Sequence, residues 1–196
     1  FILDLCEDNS KNLWIGTMVG GISKIDLSTD PFFWKQPVRN PVNTYVNTIR
    51  AAVMDKNGNL WLGSKGGKIY CYDKEKVLCR TIPDDLSLSG RKLMDNINVY
   101  CLIFDDSDNL WVATKGKGLF ALKDILDTPV QDMEIVHFDV HLSRMLDEVF
   151  SIIQDDHGQF WIGSHISGVG LLRDPFTNPT FESFSKEKYN LASDQI

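Results

Sequence analysis

Few residues in this chain stand at spacings that could do chemistry. His137 and His141 are four apart, a spacing that lets two imidazoles share a metal on one helix face. Along a strand the same spacing separates them by about 13 Å. Their context, "EIVHFDVH", reads as a strand. Two satisfied or exposed histidines are therefore expected, and no metal site. "GKGLFA" (116–121) imitates a dinucleotide fingerprint with alanine in its last place. That motif requires a strand before it and a helix after it, and here it falls in a loop that recurs along the chain. "DDSDN" (105–109) is rich in carboxylates but lacks the alternating oxygen ligands of a calcium loop. No nucleophile elbow is present, no cysteine and histidine stand in a suggestive context, and spacing pairs no two carboxylates. No catalytic residue and no cofactor are expected.

Four cysteines show no zinc-ligand spacing. Cys6 and Cys101 lie in apolar runs and read as buried thiols. Cys71 and Cys79 flank "YDKEKVL", a hairpin in which they could face each other as two free thiols or, with a suitable register, as a disulfide. The net charge is −7, which repels phosphates and argues against a nucleic-acid partner. The longest apolar run, "VYCLIF" (99–104), is too short to cross a bilayer, so this segment does not insert directly into a membrane.

The chain's main signal is structural. Trp14, Trp61, Trp111 and Trp161 are 47, 50 and 50 residues apart. Aligned on them, "ILDLCEDNSKNLWIGTMVGG", "IRAAVMDKNGNLWLGSKGGK", "VYCLIFDDSDNLWVATKGKG" and "VFSIIQDDHGQFWIGSHISG" form four rows. Six residues before each tryptophan is Asp8, Asp55, Asp105 or Asp155, and two after it is Gly16, Gly63, Ala113 or Gly163. Self-similarity at this period marks a solenoid, a propeller or an array. Each row opens with consecutive apolar residues, the pattern of a strand buried on both faces. A polar turn, the tryptophan strand, a glycine loop and two further strands follow.

Four antiparallel strands in about 50 residues make one propeller blade. The fold expected is all-β, a β-propeller of four blades with approximate bounds 1–46, 47–95, 96–146 and 147–193. Each tryptophan should wedge one blade against its neighbour, with the small residue beside it leaving room for the indole. The turn aspartates should accept backbone N–H groups, and Gly58 and Gly158 should take positive φ.

Alternating strand directions place the glycine loops and the blade-to-blade segments at one end. There the residue four after each tryptophan varies as Met18, Lys65, Lys115 and His165 while its neighbours repeat. Asn43, Asn47, Arg50, Asn96 and Asp147 lie on the lead-in segments. Amides, arginine and carboxylates suit sugar hydroxyls, which both donate and accept. Lys65, Lys115, His165, Arg50, Asn47 and Asp147 are thus the candidate ligand residues, with an ordinary solvated loop as the plain alternative. Trp34 and Tyr45 could offer stacking faces or simply pack. His165 with Arg50 is the one pairing the sequence offers for a reaction.

The phrase "DKNGNLWLGSKGG", and with it "DDHGQFWIGS", resembles the two-component regulator propeller repeat, an apolar strand followed by D-x-x-G-N-L-W-I-G-T and a glycine pair. "DNSKNLWIGT" and "DDSDNLWVAT" replace the turn glycine by Lys11 and Asp108. The resemblance implies part of a seven-bladed propeller in the periplasmic sensing region of a hybrid histidine kinase. Such a module would detect an oligosaccharide or similar small molecule and direct transcription through the kinase. The chain starts within a repeat and ends on "YNLASDQI", like the lead-in "NPVNTYVNTI", so a further tryptophan is expected about twelve residues on. Open blade faces would favour self-association as a homodimer. A propeller lyase or hydrolase acting on a glycan or lactone, and a protein-interaction platform, are the competing readings.

Overall fold

The computed structural model describes all residues except 26–32, 40, 83–86, 89–90, 93–96 and 195–196. Asn96 lies outside the described residues, as does the side chain of Trp34. The chain divides into two compact units, Phe1–Leu102 and Ile103–Ile196. Each is described by itself.

The first sheet holds β1 (Ile2–Glu7), β2 (Leu13–Thr17), β3 (Gly21–Ile25) and β4 (Phe33–Lys35). The second holds β5 (Ile49–Met54), β6 (Leu60–Ser64), β7 (Ile69–Tyr72) and β8 (Leu78–Ile82). A small hairpin of β9 (Ser87–Leu88) and β10 (Arg91–Lys92) follows. The third sheet is β11 (Asn98–Phe104), β12 (Leu110–Lys115), β13 (Leu119–Leu122) and β14 (Ile135–Phe138). The fourth is β15 (Val149–Gln154), β16 (Phe160–Ser164), β17 (Gly168–Arg173) and β18 (Thr180–Phe184), trailed by the single turn α1 (Lys186–Tyr189). In every sheet the strands lie in chain order, as in a propeller blade. All four of the strand types read from the sequence are present.

The apolar first strands are not the ones buried on both faces. β1 and β15 alternate between exposed and half-buried or buried positions, whereas every residue of β6, β7 and β13 is buried. Chain order explains the difference. The first strand of each sheet is an edge and the tryptophan strand is central, so the second and third strands are the more deeply buried, fully so at β6, β7 and β13.

The aspartate turns do more than begin a turn. In each row the carboxylate accepts the backbone N–H four residues on and the indole Nε1–H six residues on. The indole distances are 2.9 Å for Trp14–Asp8, 3.0 Å for Trp61–Asp55, 2.8 Å for Trp111–Asp105 and 2.9 Å for Trp161–Asp155. The aspartate therefore ties its own turn to the central strand and satisfies an indole that packing would otherwise strand. Gly58 and Gly158 hold φ of 79° and 75° as expected, but Lys11 and Asp108 adopt 64° and 61° at the matching positions. The turn keeps its left-handed residue where the sequence has no glycine.

Gly16 and Gly63, the small residues after Trp14 and Trp61, have their closest contacts with residues of the next sheet. A Cβ built on Gly16 would stand 3.2 Å from Ile49 Cγ2, and one on Gly63 would collide with Val99 Cγ1. Ile49 and Val99 are each 0% exposed. The wedge itself is as expected. Trp14 shares a buried cluster with Ile49, Leu60, Leu62 and Tyr72 of the second sheet. In the second unit Trp111 lies 4.1 Å, between ring centroids, from Phe160 of the fourth sheet.

Cys71 and Cys79 are free thiols with sulfurs 3.3 Å apart. Burial, with the neighbouring thiol, pushes the Cys71 thiol far up. Cys6 and Cys101 are half-buried rather than buried, because they belong to edge strands. Among the described residues no helix is long and apolar enough to cross a membrane.

Candidate functional site

At the glycine-loop end, the backbone four residues after the tryptophan is pinned by one repeated bond. The N–H groups of Met18, Lys65 and His165 donate to the carbonyls of Phe1, Thr48 and Glu148, at 3.0, 2.8 and 3.2 Å. The accepting residue stands just before the first strand. Next to it, a bulge interrupts the register between Ile2 and Asp4, Ile49 and Ala51, and Val149 and Ser151. A bulge re-aims the extra side chain, which here is Leu3, Arg50 or Phe150. The scaffold is constant while the side chains it presents differ from blade to blade.

In the second unit this scaffold gathers a charged cluster. The short 3-10 helix Arg144–Asp147, capped by Ser143, delivers Glu148 between the ends of β12 and β16. Glu148 bridges to Lys115, and the Asp147 carbonyl accepts the Gly116 N–H at 2.6 Å. One oxygen of Glu148 lies 3.2 Å from Lys115 Nζ and the other 3.1 Å from His165 Nδ1. The His165 ring stacks on Phe150, the bulge residue, with centroids 4.7 Å apart and planes 11° from parallel. The Lys115 ammonium, aided by His165, holds the Glu148 carboxyl below the usual range against the opposing effect of burial. Lys115, Glu148 and His165 all reach solvent. Beside them a recess of about 240 Å³ is lined by Gly116, Lys117, Gly118, His137, Asp139, Val140 and Asp147.

Lys115 and His165, named from the sequence, thus meet through a residue the sequence reading missed. Glu148 was findable as the one acid in the column Phe1, Thr48, Asn98 and Glu148. Asp147 is exposed and lines the recess. The first unit holds the other candidates in separate settings. Lys65 Nζ sits 3.8 Å from the centroid of Tyr45, a half-exposed ring on the 3-10 helix Thr44–Asn47 that Asn43 caps. Arg50 stacks its guanidinium 4.4 Å from the Tyr100 ring, with a buried Nε that meets no acceptor. Asn47 is 2% exposed, and its amide bonds both the N–H and the carbonyl of Val38, at 3.0 and 2.8 Å. That contact braces the lead-in segment. His165 and Arg50 belong to different units, and His165 takes Glu148 as its partner.

The features dismissed from the sequence have structural employment. His137 stacks on Phe120 at 4.3 Å, and its Nε2 lies 2.6 Å from the Lys117 carbonyl. "GKGLFA" leads into strand β13 and not a helix. Asp105 of "DDSDN" receives Ser107, Asn109 and Trp111 donors on its two oxygens, which leaves it a poor cation ligand.

Comparisons with known proteins agree with this architecture. The model of the two component regulator propeller family matches residues 1–18, 46–66 and 92–116. The extracellular domain of BT3049 from B. thetaiotaomicron, assigned to a hybrid two component system, aligns with a TM-score of 0.74 at 18% identity over 99% of this chain and 24% of that one. The extracellular domain of BT4673 from the same organism, also so assigned, aligns at 0.69 and 25% identity over 94% of this chain and 24% of that one. PorZ, a surface component of the type-IX secretion system of Porphyromonas gingivalis, aligns at 0.63 and 15% identity, over 93% of this chain and 33% of that one. The chain spans about a quarter of the length of the two extracellular domains. No curated protein matches it. Each of the three matched stretches, together about a third of the chain, holds one indole-clamping aspartate with its tryptophan: Asp8 with Trp14, Asp55 with Trp61 and Asp105 with Trp111.

Proposed function

We propose that the chain is part of the extracytoplasmic, ligand-sensing propeller of a two-component receptor, periplasmic in location, that reports to a histidine kinase and through it to transcription. The family match and the likeness to extracellular domains assigned to such systems support a sensor role. The ligand is an oligosaccharide or similar small polyhydroxylated molecule, taken at the glycine-loop end. The observation that carries this reading is the contrast at that end. One backbone bond repeats in three blades while the side chain it holds changes from Met18 to Lys65 to His165. Lys115, Glu148 and His165 offer charged donors and an acceptor beside the aromatic face of Phe150, and Asp147 adds a carboxylate nearby. Sugar hydroxyls need both donors and acceptors, and a sugar's C–H face packs on aromatic rings.

A melting screen of the chain against a panel of neutral and acidic oligosaccharides tests the reading. A ligand at a hundred times its Kd stabilises by about 2.7 kcal/mol. Glu148→Gln should erase the response without lowering the unliganded midpoint by more than the small worth of an exposed ion pair, about 0–1 kcal/mol. A flat response across the panel, or an undiminished one in Glu148→Gln, overturns it.

Self-association belongs to the same proposal. Ile2 and Leu5 are 63% and 54% exposed, whereas Ile49 and Ile152 at matching positions are 0% and 2%. The strand face they form suits the glycine-bearing strand of another sheet, in a second copy or a further blade. Sedimentation should show a dimer of this chain that Ile2→Lys/Leu5→Lys disperses.

A further inference from the structure

Among the described residues, the third and fourth strands pair in unbroken register in the first, third and fourth sheets. In the second sheet a bulge interrupts the register. Cys71 pairs with Arg80 and Tyr72 with Leu78, so Cys79 is the extra residue of β8. In a regular ladder Cys79 would point to the face opposite Arg80 and away from Cys71. The bulge re-aims it. Its sulfur stands 3.2 Å from the Cys71 carbonyl oxygen and 3.3 Å from the Cys71 Sγ.

The two thiols differ in access. Cys79 is exposed on the outer strand of its sheet, whereas Cys71 is 3% exposed on β7, opposite Trp61. A disulfide bond spans about 2.05 Å, so closure asks the two sulfurs to approach by about 1.3 Å.

We propose that Cys71 and Cys79 are a disulfide-forming dithiol, a covalent site at which an oxidant of the disulfide class staples β8 to β7. The Cys79 thiolate, which solvent reaches, attacks one sulfur of the oxidant, forms a mixed disulfide and releases one thiolate. The Cys71 sulfur then attacks Cys79, releases the second thiol and leaves the Cys71–Cys79 bond. The protons of the two cysteines end on the two released thiols, and the oxidant takes up the electron pair. Burial, with the neighbouring thiol, pushes the Cys71 thiol up. That makes it a poor first attacker and leaves it the second step, where its target is already at hand. The inference goes beyond the ligand-sensing reading and shares only its location, since thiols outside the cytoplasm meet disulfide oxidants.

Equilibration of the whole chain with glutathione disulfide, alkylation of the remaining thiols and tryptic mapping without reductant test the assignment. Trypsin cuts after Lys74 and Lys76, between the two cysteines, so a disulfide leaves residues 69–74 and 77–80 joined. At about 0.1 mM reduced glutathione the joined peptides should exceed mixed disulfides at least about tenfold, because a partner in the same hairpin acts as a thiol at millimolar concentration or more. Cys71→Ser should hold glutathione on residues 77–80, and Cys79→Ser should hold none on residues 69–74. Oxidation should lower the unfolding constant in urea at least about tenfold, by closing a loop in the unfolded chain. Mixed disulfides in place of joined peptides, cross-links that take in Cys6 or Cys101 as often, or an unfolding constant that oxidation leaves unchanged overturns the proposal. So does glutathione on Cys71 in Cys79→Ser. None of these outcomes bears on the Glu148→Gln response, which reads the glycine-loop end.

Discussion

Replacing Asp105 by alanine should be among the most damaging single changes in this chain. Asp105 is 8% exposed, and its two oxygens receive Ser107 N at 3.0 Å, Asn109 N at 2.9 Å, Asn109 Nδ2 at 2.9 Å and Trp111 Nε1 at 2.8 Å. Trp111 is 0% exposed and Asn109 5%, so water cannot step in for the lost carboxylate. A buried donor left without a partner costs about 1–3 kcal/mol. Two such side-chain donors give a loss of about 2–6 kcal/mol, a large share of the 5–15 kcal/mol that holds a typical domain together. Trp111→Phe removes the indole donor, so the pair is not additive. The double variant should recover about 1–3 kcal/mol relative to the sum of the two singles. Urea denaturation followed by far-ultraviolet circular dichroism measures both quantities, through the midpoint at unchanged slope. A coupling below about 0.5 kcal/mol, the ordinary scatter of additivity, would refute the idea that the aspartate exists to hold the indole.

Acid should weaken the fold through the same groups. Burial pushes Asp8 up, but the Asn12 backbone and amide donors and the Trp14 indole outweigh it and hold the carboxyl below its ordinary value. At Asp155 the Gln159 N–H, followed by the Trp161 indole, lowers it against burial. A carboxyl depressed on folding stabilises above its unfolded pKa of about 3.9 and loses that contribution as pH falls through the folded value. Urea midpoints should therefore hold near neutrality and drop below pH 4, less steeply in Asp8→Asn/Asp155→Asn. Gly63→Ala should destabilise by about 1–3 kcal/mol, since its methyl meets Val99. A Gly63→Ala midpoint matching that of the parent would show the two sheets less closely packed. Lys11→Gly and Asp108→Gly should each stabilise the turn by up to about 1 kcal/mol by relieving a left-handed side-chain residue, despite the added freedom of the unfolded chain. Thermal melts of the two variants check this.

The blade was legible because the repeat states it four times. Tryptophan, aspartate and small residue fall in fixed columns, and the structure gives each column one job. The job was less legible than the column. Nothing in "DLCEDNSKNLW" says that the aspartate's second oxygen reaches the indole, because the contact depends on how the turn folds back over the strand. Nor does hydrophobicity alone distinguish an edge strand from a central one. "VFSIIQ" is apolar enough to be buried, yet Ile153 is 62% exposed, because β15 has a sheet neighbour on one side only. For a related reason the closest contact of the glycine after the first tryptophan is not readable from its row. Its neighbour is Ile49, 33 residues away, and sequence spacing carries no trace of inter-sheet distance.

The candidate site was harder to read than the framework that carries it. At the glycine-loop end the repeat supplies constant backbone, and function depends on the side chains that differ. Glu148 meets Lys115 and His165 because the 3-10 helix before it and the bulge after it set its direction, and both devices leave only faint marks in sequence. In a repeat protein, then, the framework is read from what recurs, and the sites from residues that depart from a column while its backbone hydrogen bonds stay the same. His165 meets that condition. Asn47 does not, for its amide is taken up wholly by the Val38 backbone.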